Sequence, residues 1–440
     1  MPHVYGNKPE TILYKSPNGK KSINHVLLGT WLEVIDSNDE WLEVKTAGRG
    51  PGGWVRRSDV VETPALKIFF VDVGQGDGAI IESPNGRMLI DGGPSKNFHA
   101  FMRHLYGPTI KREGTVHFDA VVVSHPDMDH FNGLTNVLKD QNFTFGTIYH
   151  NGILRYYKNT PEGAEFDLGN ITVDDQGQSY LTDTVSTLKQ VEDRINTGSL
   201  MSQFKHFWVA VLQAKQQGRL RTARRLSSRD DYVPGFEPRS GQSRLVAKVL
   251  GPVPTKTSGA FRYITFADPH SYPSKSPSSS HTRNGHSVVL RLEFGAHSFL
   301  FGGDLNIPAQ QHLISHYGSN HPFQVDVAKA CHHGSSDFDI NYIKKVNPHV
   351  NVFSSGDNKS FDHPMADALG AIGKYTKGDF PLLFSTEIAR ANSSSGTHYG
   401  LINARSNGTV LVMAQMKEQH NRADIWDSYT VPWKGYFVDH

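Results

Sequence analysis

Over the first sixty or so residues, apolar and polar positions alternate in short runs. Thr11-Ile12-Leu13-Tyr14, Trp31-Leu32-Glu33-Val34-Ile35, Trp41-Leu42-Glu43-Val44 and Gly53-Trp54-Val55 each read as a brief strand. Ser-Pro-Asn-Gly, Asp-Ser-Asn-Asp and Gly-Arg-Gly-Pro-Gly-Gly separate them as turns. Short strands with frequent turns predict a small all-β barrel over residues 1–63.

Beyond Pro64 the runs become more apolar. Lys67–Val73 predicts a buried strand and Gly74-Gln75-Gly76-Asp77 a tight turn. Gly78–Ser83 and Met88–Ile90 make two more strands about a Pro84-Asn85-Gly86 turn, the second ending in Asp91-Gly92-Gly93. A helix is expected over Phe98–Tyr106. Ala120–Val123 is another buried strand, followed by His125-Pro126-Asp127-Met128-Asp129-His130 and a helix from about Gly133 to Lys139. The scheme then repeats. His286–Glu293 and Ser298–Phe301 form a hairpin ending in Gly302-Gly303-Asp304, and a helix covers Pro308–Tyr317. Asp326–Ala330 is a strand running into Cys331-His332-His333-Gly334-Ser335. Val350–Phe353 leads to Asp362-His363-Pro364 and a helix over Met365–Tyr375. Two successive half-sheets with polar residues at their strand ends suggest a duplicated α/β sandwich over residues 64–440.

Between the halves lies an insertion at about 151–283. It holds a helical stretch, Val185–Ala223, whose end is basic: Lys215, Arg219, Arg221, Arg224, Arg225 and Arg229. A Ser/Pro-rich loop, Pro269–Ser280, closes it. After Asn392 one strand stands out, Thr409–Met413.

Composition narrows the function. The chain has 440 residues, and 45 basic against 43 acidic side chains leave a net charge of +2, which excludes a strongly basic nucleic-acid binder but not a local patch. Its single cysteine, Cys331, can form no intrachain disulfide and favours a reducing compartment. The start of the chain has no signal-type apolar core, and no run has membrane-spanning length. A cytoplasmic protein with no membrane contact is the expectation.

The candidate chemistry sits in His125-Pro126-Asp127-Met128-Asp129-His130, four metal-ligand side chains within six residues at a strand end. The plain alternative is a polar turn in which Asp129 caps the next helix. Asp304 has a similar alternative, as a cap for the helix near Pro308. His332 and His333 follow a third strand, and one of the pair is expected to ligate while the other packs. Cys331 is a conceivable zinc donor, but alternation along Val327–Cys331 makes it a small core residue.

Taken together, Val71-Asp72-Val73-Gly74-Gln75-Gly76-Asp77, Leu89-Ile90-Asp91-Gly92-Gly93, the His125–His130 segment, Gly303-Asp304 and His332-His333-Gly334-Ser335 resemble the metallo-β-lactamase superfamily, in particular its ComEC-type branch, the soluble domain of DNA-uptake competence proteins. The resemblance covers residues 66–140 and 285–390 and implies an αββα sandwich with two divalent ions, Zn2+ or Mn2+, at one edge. Carried over by motif, His125, Asp127, Asp129, His130, Asp304 and His332 or His333 are the implied ligands, with Asp304 bridging. Asp127 stands where the superfamily commonly has His, as in the ComEC-type branch, and shifts the preference toward manganese. The middle histidine ligand has no clear counterpart; His206, His270, His281 and His286 stand in no motif. The resemblance also implies a structural Asp77 turn, a supporting role for Asp91, and a structural Ser287. Over residues 8–62, Gly29, Trp41-x-x-Val44 and Gly53-Trp54-Val55 resemble bacterial SH3 domains, which implies a protein or peptide partner.

A water bound to such ions loses a proton near neutral pH and becomes a nucleophile. Asp129 is the candidate to orient it, and His363 can stabilise a phosphate or relay a proton. These readings converge on a phosphodiesterase or nuclease acting on nucleic acid or nucleotides, with Lys215, Arg219, Arg221, Arg224 and Arg225 as phosphate contacts. The alternatives are a hydrolase of small esters, lactones or amides on the same fold, and a non-catalytic binding module acting through the SH3-like part.

Overall fold

A computed structural model describes the chain except for residues 1, 47–49, 159–166, 198, 241–242, 256–260, 272–276, 357–360, 388–401, 417–432 and 438–440. Seven short antiparallel strands between His3 and Val61 form one sheet, closed over Leu13, Val26, Leu32, Leu42, Val44 and Val55. The four expected runs are strands, joined by His3–Gly6 and Ser22–Leu27, which alternation alone did not mark. This sheet is tied to the rest of the molecule by the buried Arg405, whose guanidinium donates to Leu28 O at 3.0 Å.

The remainder is built on two sheets packed face to face. The larger contains β1 (Leu66–Phe70), β2 (Ala79–Ser83), β3 (Gly86–Ile90), β4 (Val116–Val123), β5 (Phe143–His150) and β6 (Leu220–Arg225). The smaller contains β7 (Val246–Gly251), β8 (Val289–Phe294), β9 (His297–Phe301), β10 (Val327–Lys329), β11 (Val350–Phe353) and β12 (Leu382–Ser385). The chain returns to the larger sheet through β13 (Ile402–Ser406), β14 (Leu411–Met416) and β15 (Trp433–Phe437). The strand orders are β6-β5-β4-β3-β2-β1-β13-β14-β15 and β7-β8-β9-β10-β11-β12. Each half repeats one plan, an antiparallel hairpin (β2–β3, β8–β9) followed by parallel strands (β4 and β5, β10 and β11). Their inner faces share one core in which Ile81, Leu89 and Val121 are buried with Leu290, Leu292 and Phe299, and the Phe70 and Phe301 rings stack at 5.8 Å.

Helices cover the outside. On the larger sheet, α1 (Asn97–Glu113) buries Phe98, Phe101, Met102 and Leu105. Next come α2 (Met128–Phe131), α3 (Leu134–Lys139), α4 (Leu188–Thr197) and α5 (Ser202–Gln216). After α6 (Ser279–Gly285), α7 (Ile307–Tyr317) and α8 (Ile340–Val346) pack Ala309, Leu313, Tyr342 and Val346 against Leu300 and Ala328 of the smaller sheet. Last comes α9 (Ala366–Lys374). No helix among the described residues is long and apolar enough to cross a membrane.

One expectation is corrected. The single helix over Val185–Ala223 is two helices and a strand: α5 ends before Gly218, whose φ of +72° turns the chain, and the basic residues continue as β6 beside β5. The stretch 151–283 supplies β6 and β7, each an edge strand of its sheet. Among the described residues of this stretch, 171–173, 179–181 and 263–264 form a small sheet of their own. Of the Ser/Pro-rich loop, residues 272–276 lie outside the described residues.

Candidate metal centre

The C-terminal ends of β4, β9, β10 and β11 meet at one rim. Parallel strands all end on the same side, so residues that follow them can converge. After β4 the backbone is fixed by Asp91, which accepts from Ser124 N at 2.7 Å, and His125 follows fully buried. Asp129 falls in the first turn of α2, while the helix after it starts at Gly133 without a side-chain cap, so Asp129 is not the cap that the plain alternative required. Asp304 is released in the same way, because Asn306 caps α7 by accepting from Ala309 N. His332 and His333 stand at φ of 49° and 57°, a left-handed pair that turns both rings back to the rim.

Four side chains close on one point. Ligand atoms of Asp129, His130, Asp304 and His333 all lie within 4.8 Å of one another. His130 Nε2 is 3.2 Å from Asp304 Oδ1, and His333 Nε2 is 3.3 Å from Asp304 Oδ2 and 3.4 Å from Asp129 Oδ2. The opposite ring nitrogens are already held. His130 Nδ1 meets Asp91 Oδ2 at 2.9 Å, and His333 Nδ1 donates to Ser354 O at 2.9 Å with Asp77 Oδ1 at 3.1 Å. Buttressed imidazoles of this kind point their free nitrogen at a metal. The Nε2 atoms of His125, His130 and His333 and Asp304 Oδ1 are buried without a hydrogen bond. Buried polar atoms left unpaired are costly, and a divalent ion bound by two carboxylates and two imidazoles satisfies them. The residues present therefore fit the ion that the sequence implied.

Charge follows the geometry. Burial raises the Asp304 carboxyl, but His130, His333 and His332 outweigh it and hold it well below the usual range. Burial lowers His130, yet Asp304 and Asp91 push it well above 6.5; Asp304 and Asp77 do the same for His333. A metal needs these ring nitrogens unprotonated, so its binding works against this upward shift. Burial, then His130, pushes His125 down to about 4.

The other expected residues are distributed as follows. His125 lies beside the cluster, 3.9 Å from Asp304 Oδ2, and His332 flanks it with Nε2 at 3.8 Å from the same oxygen. Asp127 lies outside the cluster. Its Oδ1 accepts from Arg283 Nε at 2.7 Å and faces Arg155 Nη1 at 3.2 Å, and the Asn284 amide donates to Oδ2 at 3.2 Å. None of the candidate middle histidines reaches the cluster: His286 bonds Ile264 O, His281 pairs with Asp337, and His206 and His270 belong to neither group of ligand atoms. His363 sits at the rim with Nδ1 3.0 Å from Gln75 Nε2, its pKa pushed down to about 4 by burial and by His333. Cys331 packs against the α7–α8 cluster, its thiol pushed up to about 12 by burial.

The basic run is engaged internally. Arg219 is buried and donates to the carbonyls of Leu138, Asp140 and Phe143. Lys215 bonds Arg221 O, and Arg221 reaches Thr147 Oγ1. Arg224 pairs with Asp230 at 2.9 Å, and Arg225 lies over the Phe261 ring.

Several residues that work here escaped sequence reasoning. Arg283 is buried and also pairs with Asp167 at 2.9 Å. Lys329 is buried in β10 and bonds Asp77, which it and His333 hold down to about 2 against the effect of burial. A lysine inside an apolar strand, Val327-Ala328-Lys329-Ala330, was the available signal.

With this geometry, residues 71–190 match the family model of the metallo-β-lactamase superfamily. The relatives it resembles are competence proteins. ComE operon protein 3 of Bacillus subtilis (strain 168) is 27% identical over 96 residues, and competence protein ComA of Neisseria gonorrhoeae is 37% identical over 82. These stretches are 22% and 18% of this chain and 12% of each relative, so the match spans a small part of either. Among solved structures, the metallo-β-lactamase fold protein YhfI from Bacillus subtilis is similar at 11% identity, covering 72% of this chain and 96% of that one with a TM-score of 0.32. A diphosphatase of the PhnP family is similar at 10% identity, covering 72% and 94% with a TM-score of 0.31.

Proposed function

We propose that the chain is a divalent-metal-dependent phosphodiesterase or nuclease. The observation that carries this reading is the donor set: two carboxylates, Asp129 and Asp304, joined by His130 and His333 around unsatisfied buried atoms. Such a set favours Mn2+ or Zn2+, which supplies Lewis acidity and water of lowered pKa at the rim. Asp129, less buried than its partners, is placed to orient the attacking water. His363 is neutral at pH 7, and donation from the Gln75 amide to Nδ1 leaves its Nε2–H free for a phosphate oxygen or leaving group. Arg155, partly exposed and held by Asp127, presents a guanidinium donor suited to a phosphate oxygen. Nucleic acid is the substrate class we favour, with Arg221, Arg224 and Arg225 along β6 as secondary contacts. The N-terminal sheet is read as an SH3-like docking module for a protein partner, and the single cysteine supports a cytoplasmic setting.

The test is cleavage of DNA, RNA and bis(p-nitrophenyl) phosphate beside a lactone and ester panel, after chelation and return of Mn2+ or Zn2+. Phosphodiester cleavage restored by metal and lost in Asp304→Ala is expected. Turnover of lactones or esters alone would replace this reading with the small-ester one.

A further inference from the structure

We propose that Asp127 is not a metal ligand but the anchor of an arginine pair, and that the protein binds one divalent ion tightly, at Asp129, His130, Asp304 and His333. This rests on the metal-hydrolase reading but not on the substrate. Three observations lead to it. Both Asp127 oxygens are occupied: Oδ1 by Arg283 at 2.7 Å and Arg155 at 3.2 Å, Oδ2 by the Asn284 amide at 3.2 Å. Such charge-assisted bonds must be broken before either oxygen can ligate.

Charges then balance locally. Asp127 and Asp167 face Arg283 and Arg155, and Asp77 faces Lys329, so neither group calls for a cation. Asp129 and Asp304 make their close ion-pair contacts with imidazoles, and their two negative charges match one divalent ion. The donors tell the same story. Beside Asp304, where a second ion would sit, His125 and His332 lie 3.9 and 3.8 Å from one Asp304 oxygen, and the one further carboxylate oxygen near His125, Asp127 Oδ2 at 3.9 Å, is already taken by the Asn284 amide. Arg155, whose side chain is 20% exposed, brings a guanidinium to Asp127 Oδ1 at 3.2 Å. It supplies the fixed positive charge for a substrate oxyanion that a second ion would otherwise supply.

The experiment strips the full chain with chelator, returns Mn2+, and reads bound metal by mass spectrometry and electron paramagnetic resonance. One tight equivalent and an isolated-ion spectrum at two added equivalents are expected. Asp127→Asn keeps that affinity, whereas Asp129→Asn weakens it by at least about 10–100-fold, the range seen even for residues that only support a ligand. Two tight equivalents with an exchange-coupled spectrum overturn the inference. Because the wild-type spectrum is decisive, the test stands even if Asp127→Asn folds poorly. A chain that binds no ion overturns both this inference and the metal-hydrolase reading, a failure distinct from absent phosphodiester cleavage by metal-loaded protein.

Discussion

Asp91 holds two things with one carboxylate: the Ser124 amide at 2.7 Å and His130 Nδ1 at 2.9 Å. The first bond sets the path of the chain out of β4, and the second aims His130 Nε2 at Asp304. Its own backbone stands at φ +56°, a conformation that asparagine tolerates well. Asp91→Asn therefore keeps the shape while removing the negative charge behind the imidazole. Metal affinity should fall about 10–100-fold with little change in unfolding temperature, measured by competition with a chromogenic chelator. Unchanged affinity would mean that Asp91 serves the backbone alone. The same scale explains what sequence reasoning could reach. His125, Asp129, His130, Asp304 and His333 were legible because each follows an apolar run, where clustered polar residues are poor core formers. Arg283 was not, because its partners Asp167 and Asp127 lie 116 and 156 positions away and a lone arginine reads as surface.

Elements place these residues through close backbone approach, and Gly76 shows how tight the approach is. A Cβ there would sit 2.3 Å from Asp129 O, at φ +137°. The β1–β2 turn and the start of α2 are thus pressed together, with Asp77 N donating to Asp129 O at 3.2 Å. Gly76→Ala should lower stability by about 1–3 kcal/mol from backbone strain alone and displace Asp129 as well. The expected result is a lowered unfolding midpoint together with weaker metal binding; stability loss with full metal affinity would show the turn to be structural only. Element type was legible where an apolar run is buried throughout, as at residues 120–123 of β4 and in β11. It failed at β6, where Arg221, Arg224 and Arg225 read as the polar face of a helix. An outer strand is decided by its neighbour β5, and no local propensity records that.

At the scale of the whole molecule, two buried histidines away from the cluster should set its acid sensitivity. Burial, then Arg225, pushes His150 down to about 3; burial, with a smaller effect of His312, does the same for His286. Both titrate near 6.5 when unfolded, so below that pH the unfolded chain binds protons that the folded one refuses. Stability is then full above about pH 6.5 and falls as pH drops toward 3, by about 1.4 kcal/mol per unit for each group. His150 Nδ1 accepts from Gly152 N at 3.0 Å, which protonation would abolish. Asparagine can offer Oδ1 in the same place and does not titrate. His150→Asn should flatten the dependence of unfolding free energy on pH between 6.5 and 5 by about 1.4 kcal/mol per unit relative to the parent, in denaturant titrations with the same metal present. Parallel curves for the two proteins would show that His150 takes up its proton alike in the folded and unfolded chain, and that the acid response arises at the rim where the metal ligands meet.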